Sequence, residues 1–266
     1  MKTIGPILLA LLATAACSEQ VESGPNGDRA DDASSDAVPV LAEQYGTVVS
    51  SSMTLCKVAT APCPEAELIE VTATLRGLMR VEQDEASVFG SMTACNVQLN
   101  WNGDDYDSDE YFKVEALGQL FRFNGGFAST EEGPRLRSGL AAFVVGAELS
   151  DDVGEDFPTD EDDARAIDQD NDGDPGVSVK APLGRVFLGA RAILDFDLEL
   201  EGNEEGTLLG TLTGHGFDVS VYDDTVPFVN VEKKLGAALD PISLVEQNHG
   251  VELHPGTANC DAAKAL

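Results

Sequence analysis

A chain of 266 residues with 48 acidic against 16 basic side chains, net −32, is long enough for one large domain or two small ones around a sizeable core. At 42% hydrophobic it is a globular chain rather than a disordered one. Its charge repels phosphate backbones and anionic bilayer surfaces, which sets nucleic acid aside; what remains is solubility, or a field that concentrates cations.

The first element is not part of the fold. "MKTIGPILLALLATAAC" joins Lys2, an apolar run from Ile4 to Leu12 and small residues ending at Cys17. This is a bacterial secretion signal, too short for a stable membrane span. Ordinary cleavage after Ala15 or Ala16 would leave Cys17 as a plain thiol; lipoprotein processing would cut before Cys17 and acylate it. Thr14, where lipoprotein signals usually carry Leu, departs from the lipoprotein pattern. Cysteine parity favours that pattern all the same. Five cysteines are an odd set for an oxidising compartment, whereas Cys56, Cys63, Cys95 and Cys260 alone make an even one. Four cysteines allow three pairings; Cys56–Cys63 with Cys95–Cys260 is favoured because "CKVATAPC", with Pro62, can close locally. Ser18 after the lipidated cysteine, rather than Asp, points to the outer membrane.

Residues 1–16 are thus assigned to the signal and 17–44 to the lipidated cysteine and a flexible acidic tether. "SEQVESGPNGDRADDASSDAVPV" lacks aromatic residues and cannot bury enough surface to offset its ordering entropy. Residues 45–266 form a single β-rich domain. "GTVVSSSMTLCKV", "ELIEVTATLRGLMRVEQ", "SVFGSMTACNVQLNW", "YFKVEALGQLFRF" and "LAAFVVGAEL" are predicted strands, and "FNGGFAST" a hairpin loop. In "VFLGARAILDFDLELEG" the residues Val186, Leu188, Ala190, Ala192, Leu194, Phe196, Leu198 and Leu200 share one face, with acidic residues opposite. That length implies a strongly curved sheet or barrel. "GNEEG" supplies a turn, and "TLLGTLTGHGFDVSVYD" returns with Phe217, Val219 and Val221 on a common face. "VNVEKKLGAALDPISLVEQ" fits either a short helix or more sheet. No stretch sustains helical periodicity and none repeats at solenoid length. The predicted fold is all-β: one antiparallel barrel or sandwich of about 8–10 strands with long acidic loops.

Between Asp151 and Asp174 lie twelve carboxylates against Arg165 alone. Crowding them costs repulsion that a divalent cation would relieve, and an all-oxygen, flexible ligand set suits calcium. Asp168, Asp170 and Asp172 match the first, third and fifth positions of an EF-hand loop and Gly173 its sharp-turn glycine. The twelfth position, however, is Val179 instead of Glu, and no helix flanks the loop, so this is not an EF-hand. The candidate metal ligands are Asp168, Asp170, Asp172 and Asp174, with Asp160 and Asp163 near enough in sequence to join them. The competing reading is a solvated loop whose Asp, Asn and Gly residues supply turn conformations.

"FPTDEDDARAIDQDNDGDPGVSVKA" resembles a segment in a group of uncharacterised, myxobacterial-type secreted lipoproteins. These carry a Pro-Thr-Asp run and then an Asp-rich loop ending in Pro-Gly-Val-Thr-Val. Pro158-Thr159-Asp160 and Asp168 to Val179 match, with Ser178 for the threonine and Asn171 for a usual glycine. "LMRVEQDEASVFGSMTAC" and "VELHPGTANC" are similar too. Together these cover well under half of the mature chain. The resemblance implies a lipoprotein with a single β-rich body and implies no activity.

Catalytic signals are weak. His249 and His254, five apart in "HGVELH", fall on opposite faces of a strand, a poor arrangement for zinc. No nucleophile elbow or phosphate-binding glycine loop is present, and paired carboxylates carry no weight in so acidic a chain. Trp101 and Tyr106 border an acidic loop, as a carbohydrate- or partner-facing rim or simply as loop anchors. The sequence therefore predicts a non-catalytic, monomeric β module, lipid-anchored at the bacterial outer membrane, cell surface or periplasm. It would bind an unidentified protein or small molecule, with calcium as its candidate cofactor. A purely structural envelope protein is the alternative, and a secreted hydrolase comes third.

Overall fold

Inward apolar and outward polar residues alternate along the strands, and in the computed structural model that alternation closes into an antiparallel barrel. The structure describes residues 40–58, 62–107, 110–111, 114, 119–131, 133–181, 183–201, 206–227 and 243–266. The residues expected to form the secretion signal, Cys17 and the expected tether as far as residue 39 lie outside these, as does most of the ambiguous segment before Ser243. The strands are β1 (Gln44–Cys56), β2 (Leu68–Asp84), β3 (Ser87–Trp101), β4 (Asp104–Asp107), β5 (Gln119–Thr130), β6 (Gly133–Ser138), β7 (Ala141–Val145), β8 (Val177–Ala181), β9 (Gly184–Glu199), β10 (Leu208–Asp224) and β11 (Ser243–Pro255). "FNGGFAST" is not a hairpin loop: it lies within β5, whose Gly125 and Gly126 pair with Ser138 and Arg137 of β6.

The wall runs β3–β2–β1–β11–β10–β9, and β5 closes it by pairing with β3 on one side and with β6 and β7 on the other. The eighth wall strand is a composite. β6, β7 and β8 lie end to end along one edge of β9, opposite Asp197–Glu199, Ala190–Leu194 and Gly184–Leu188 respectively. At the β8 end β5 no longer reaches. There β4 extends the edge of β3, and the Lys180 amide donates to the Tyr111 carbonyl, bridging to β8. Tyr106 faces inward with Tyr111, ring centroids 6.1 Å apart, against Val179 and Leu188. It is a packing anchor.

Among the described residues the interior is filled with side chains. Phe121 stacks on Phe143 at 4.8 Å, Phe123 meets Phe196 edge-on at 4.6 Å, and Leu136, Leu194, Leu198 and Leu253 are almost wholly buried beside them. Each such side chain contributes roughly 2–3 kcal/mol of transfer free energy. The length of β9 is what a barrel of tilted strands requires, and its inward face is the one the alternation marks.

Past β11 the chain folds back over the outside of β1–β3 and ends in a short helix, α1 (Cys260–Lys264), capped by the Asn259 side chain on the Ala262 amide. β3 holds a bulge where Ala94 faces Gly77 and Asn96 faces Arg76, leaving Cys95 as the extra residue. The bulge turns Cys95 outward, and there it forms a disulfide with Cys260. Cys56 and Cys63 form the second. Both are the pairings that local closure favoured.

Candidate cation-binding loop

Between β7 and β8 the chain leaves the wall and returns to it. Val145 lies opposite Ala190 and Val177 opposite Leu188, so the strand resumes where residue 147 would have continued it. The neck of this excursion is two glycines with positive φ, Gly146 at 69° and Gly176 at 93°. A methyl group on Gly146 would lie 3.0 Å from the Gly176 Cα, so the close approach needs bare backbone. Ile167 ties the neck together: its amide donates to the Gly146 carbonyl, and its carbonyl accepts from the Gly176 amide.

The excursion lies on the outer face of β9 and β10, over a second small core. Phe157, Phe187 and Tyr222 are buried there. Tyr222 crosses Gly189 so closely that any side chain at 189 would collide with its hydroxyl. Burial pushes the Tyr222 phenol pKa up, and the nearby Asp163 charge adds to this. Arg191, reaching outward from β9, holds the loop down. Its guanidinium donates to Asp218 Oδ2 at 2.8 Å and to the carbonyls of Asp152 (3.3 Å) and Glu155 (2.5 Å), and lies 5.6 Å from the centre of the Phe157 ring. Ser220 Oγ adds a bond to the Pro158 carbonyl at 2.7 Å.

Of the six candidate ligands, three come together. One carboxylate oxygen from each of Asp168, Asp170 and Asp172 lies within 4.8 Å of the others. Asn171 and Gly173, at φ 56° and 102°, turn the chain so that alternate side chains converge. Asp168 accepts from the amides of Asp172 and Gly173 at 3.0 and 2.9 Å. Asp172 accepts from the Asp174 amide, the Ser178 hydroxyl and, at 3.0 Å, Arg185 Nη1. Burial raises the Asp172 pKa, but these bonds together hold it below the ordinary carboxylate value. Asp170 differs. Its Oδ2 accepts from the Ser178 amide at 2.9 Å, while its Oδ1 is buried with no hydrogen-bond partner. Burial pushes its pKa up, and the Asp172 and Asp168 charges push it further.

Asp160, Asp163 and Asp174 are not in this trio. Asp160 accepts from the Asp162 amide. Asp163 gives both oxygens to Arg165, which holds its pKa at about 2. Arg165 also grips Glu155, held at about 2 by the Ser150 hydroxyl and by Arg165 itself. Asp174 caps the turn through its backbone amide. Three arginines thus relieve part of the loop's repulsion, two of them, Arg185 and Arg191, contributed from β9.

A buried polar pair escaped the sequence reading. Inside the wall Ser51 Oγ lies 2.7 Å from His249 Nδ1, and His249 Nε2 lies 3.3 Å from Gln247 Oε1. His254 is on the opposite face, beside Glu252 at 3.2 Å, as strand parity requires. Ser51 and His249 are 3% and 7% exposed, so the pair meets no substrate from solvent. Burial depresses the His249 pKa below its ordinary value near 6.5. A histidine with a depressed folded pKa stabilises fully above its unfolded pKa, and that stability is lost as pH falls towards the folded pKa. From pH 7 to 5 the wild type should therefore lose more thermal stability than His249→Gln, measured as Tm at each pH. Parallel Tm profiles would show that His249 carries no such penalty.

Compared with known protein families, curated proteins and solved structures, the chain matches none.

Proposed function

We propose that this protein is a lipid-tethered, extracytoplasmic β-barrel module that acts through its outer surface and whose 146–176 excursion is ordered by calcium. The observation that carries the reading is Asp170 Oδ1, a buried carboxylate oxygen without a partner beside two further carboxylates. Such an atom costs free energy unless a donor or a cation meets it. Asp168, Asp170 and Asp172 are the ligands, and an all-oxygen set on a turn that tolerates several geometries favours calcium over magnesium. The tether follows from Cys17 and the signal. The two disulfides support an oxidising compartment. An interior filled with side chains among the described residues supports a ligand site on the outer surface. It also favours, as a second reading, an envelope protein with no small-molecule site.

Thermal melts of the purified protein in calcium and in chelator test the proposal. Calcium should raise Tm, since saturation at a hundredfold excess over Kd stabilises by about 2.7 kcal/mol. The paired change Asp168→Ala and Asp172→Ala should abolish the shift. Asp170→Asn should abolish it too, yet in chelator should match or exceed the wild type, because it removes a buried charge with no counter-ion. Identical wild-type melts at millimolar calcium would refute the calcium reading and leave the loop a solvated turn.

A further inference from the structure

The outer face of the barrel is not uniform. Towards one end of β1–β3 it is covered by the C-terminal segment: Gly46 lies under Thr257 and Leu266, and Cys95 is tied to Cys260. Beyond that cover, strand register lines up two rows across five strands. One runs Gly250, Ser50, Thr74, Gln98, Asp107 and the other Asn248, Ser52, Thr72, Asn100, Asp105. Four interstrand spacings make each row roughly 19 Å long. Neither row contains an aliphatic or basic side chain. In a chain with 48 acidic residues, carboxylates enter these rows only at the edge strand β4.

The rows are also concave. A groove of about 470 Å³ runs over Thr72, Thr74, Gln98, Asn100, Asp105 and Asp107, with Glu110 also lining it, and a second of about 240 Å³ continues from Thr72 across Ser52 to Asn248, with Glu70 also lining it. Its planar groups are held in place. Asn100 Nδ2 donates to Asp105 Oδ1 at 2.7 Å, Asn96 Nδ2 to Asp107 Oδ1 at 3.1 Å, and Arg76 Nη1 to Gln98 Oε1 at 2.8 Å. Amides and carboxylates fixed before binding lose little entropy on meeting a ligand.

We propose that this face binds a neutral, hydroxyl-rich chain, that is, an oligosaccharide without acidic groups. Charge selects this ligand. The edge carboxylates accept hydrogen bonds from hydroxyls and repel phosphate, sulfate and uronate, as does the net −32 field. Serine and threonine hydroxyls and side-chain amides both donate and accept, matching a polyol group for group. The proposal deepens the reading of a module that acts through its surface. It uses residues distinct from the cation loop, so calcium and glycan binding can fail independently.

The test is affinity electrophoresis of the purified protein in native gels cast with dextran, xyloglucan or galactomannan, with alginate as the anionic control, each in calcium and in chelator. The expected result is retardation in at least one neutral gel and none in alginate. Gln98→Ala with Asn100→Ala should raise the apparent Kd at least tenfold. Thr74→Lys, which leaves the bonds of the β3–β4 turn intact, should do the same with an unchanged melt. No retardation in any neutral gel, retardation in alginate alone, or equal retardation of wild type and both variants would overturn the proposal. A calcium shift without retardation would sink the glycan site alone, and retardation without a calcium shift would sink the cation loop alone.

Discussion

Replacing Cys95 and Cys260 together by alanine is expected to lower stability by about 5 kcal/mol, the largest effect of any change considered. The bond spans 165 residues, and closing so long a loop removes much of the unfolded chain's freedom. It also fastens α1 and the folded-back tail, whose Ala263 is fully buried. The matching change at Cys56 and Cys63 spans 7 residues and should cost only about 2 kcal/mol. Thermal melts should show a drop of about 10–20 °C for the first pair and a clearly smaller one for the second. Equal drops would mean that the long bridge adds nothing beyond what a short one does, and that the tail is held by packing alone.

Arg191→Met should give the second-largest loss, about 3 kcal/mol, with the damage concentrated in the excursion. The methionine keeps the apolar stem over Phe157 but abandons the carbonyls of Asp152 and Glu155. Each acceptor left unpaired costs about 1–3 kcal/mol, while Asp218, 40% exposed, turns to water. The loop should then open while the barrel persists, so limited proteolysis should cut between residues 151 and 163 before global unfolding. Arg165→Met is the informative comparison. It bonds the half-buried carboxylates of Glu155 and Asp163 and the exposed Asp156 carbonyl, partners that water can replace at less cost than the acceptors Arg191 meets. If the two variants were equally sensitive to protease, Arg191 would not be the anchor.

What the sequence could show was whatever repeats within a strand. The inward face of β9 is legible from Val186 to Leu198, because a period of two survives without knowledge of any partner. The same parity separates His249 from His254. The Asp168–Asp170–Asp172 convergence is equally local, set by turn residues inside the motif. Asp160 and Asp163 look equally available on paper; Arg165, two residues from Asp163, claims that carboxylate, and such competition is not visible in spacing. "FNGGFAST" misleads because paired glycines usually signal a turn, whereas in β5 they let the strand pass close to β6, where a methyl on Gly125 would meet the Arg137 carbonyl at 2.8 Å. Ser51 and His249 needed the pairing of the first strand with the last, a contact no local pattern encodes. Arg191 is one cation on a strand whose other outward charges are mostly acidic, a signal that gains meaning only once the loop is known to lie over β9.

The two-glycine neck has a consequence for how such a protein can be built and varied. Because β8 takes up the register that β7 leaves off, a chain that ran from residue 146 directly into residue 177 would still be one unbroken wall strand beside β9. Everything from 147 to 176 is therefore a cassette plugged into a finished barrel at a single socket. Lineages could lengthen, swap or lose it without renegotiating the scaffold, provided the apolar ground under it, Phe187 and Tyr222, is repainted with polar side chains.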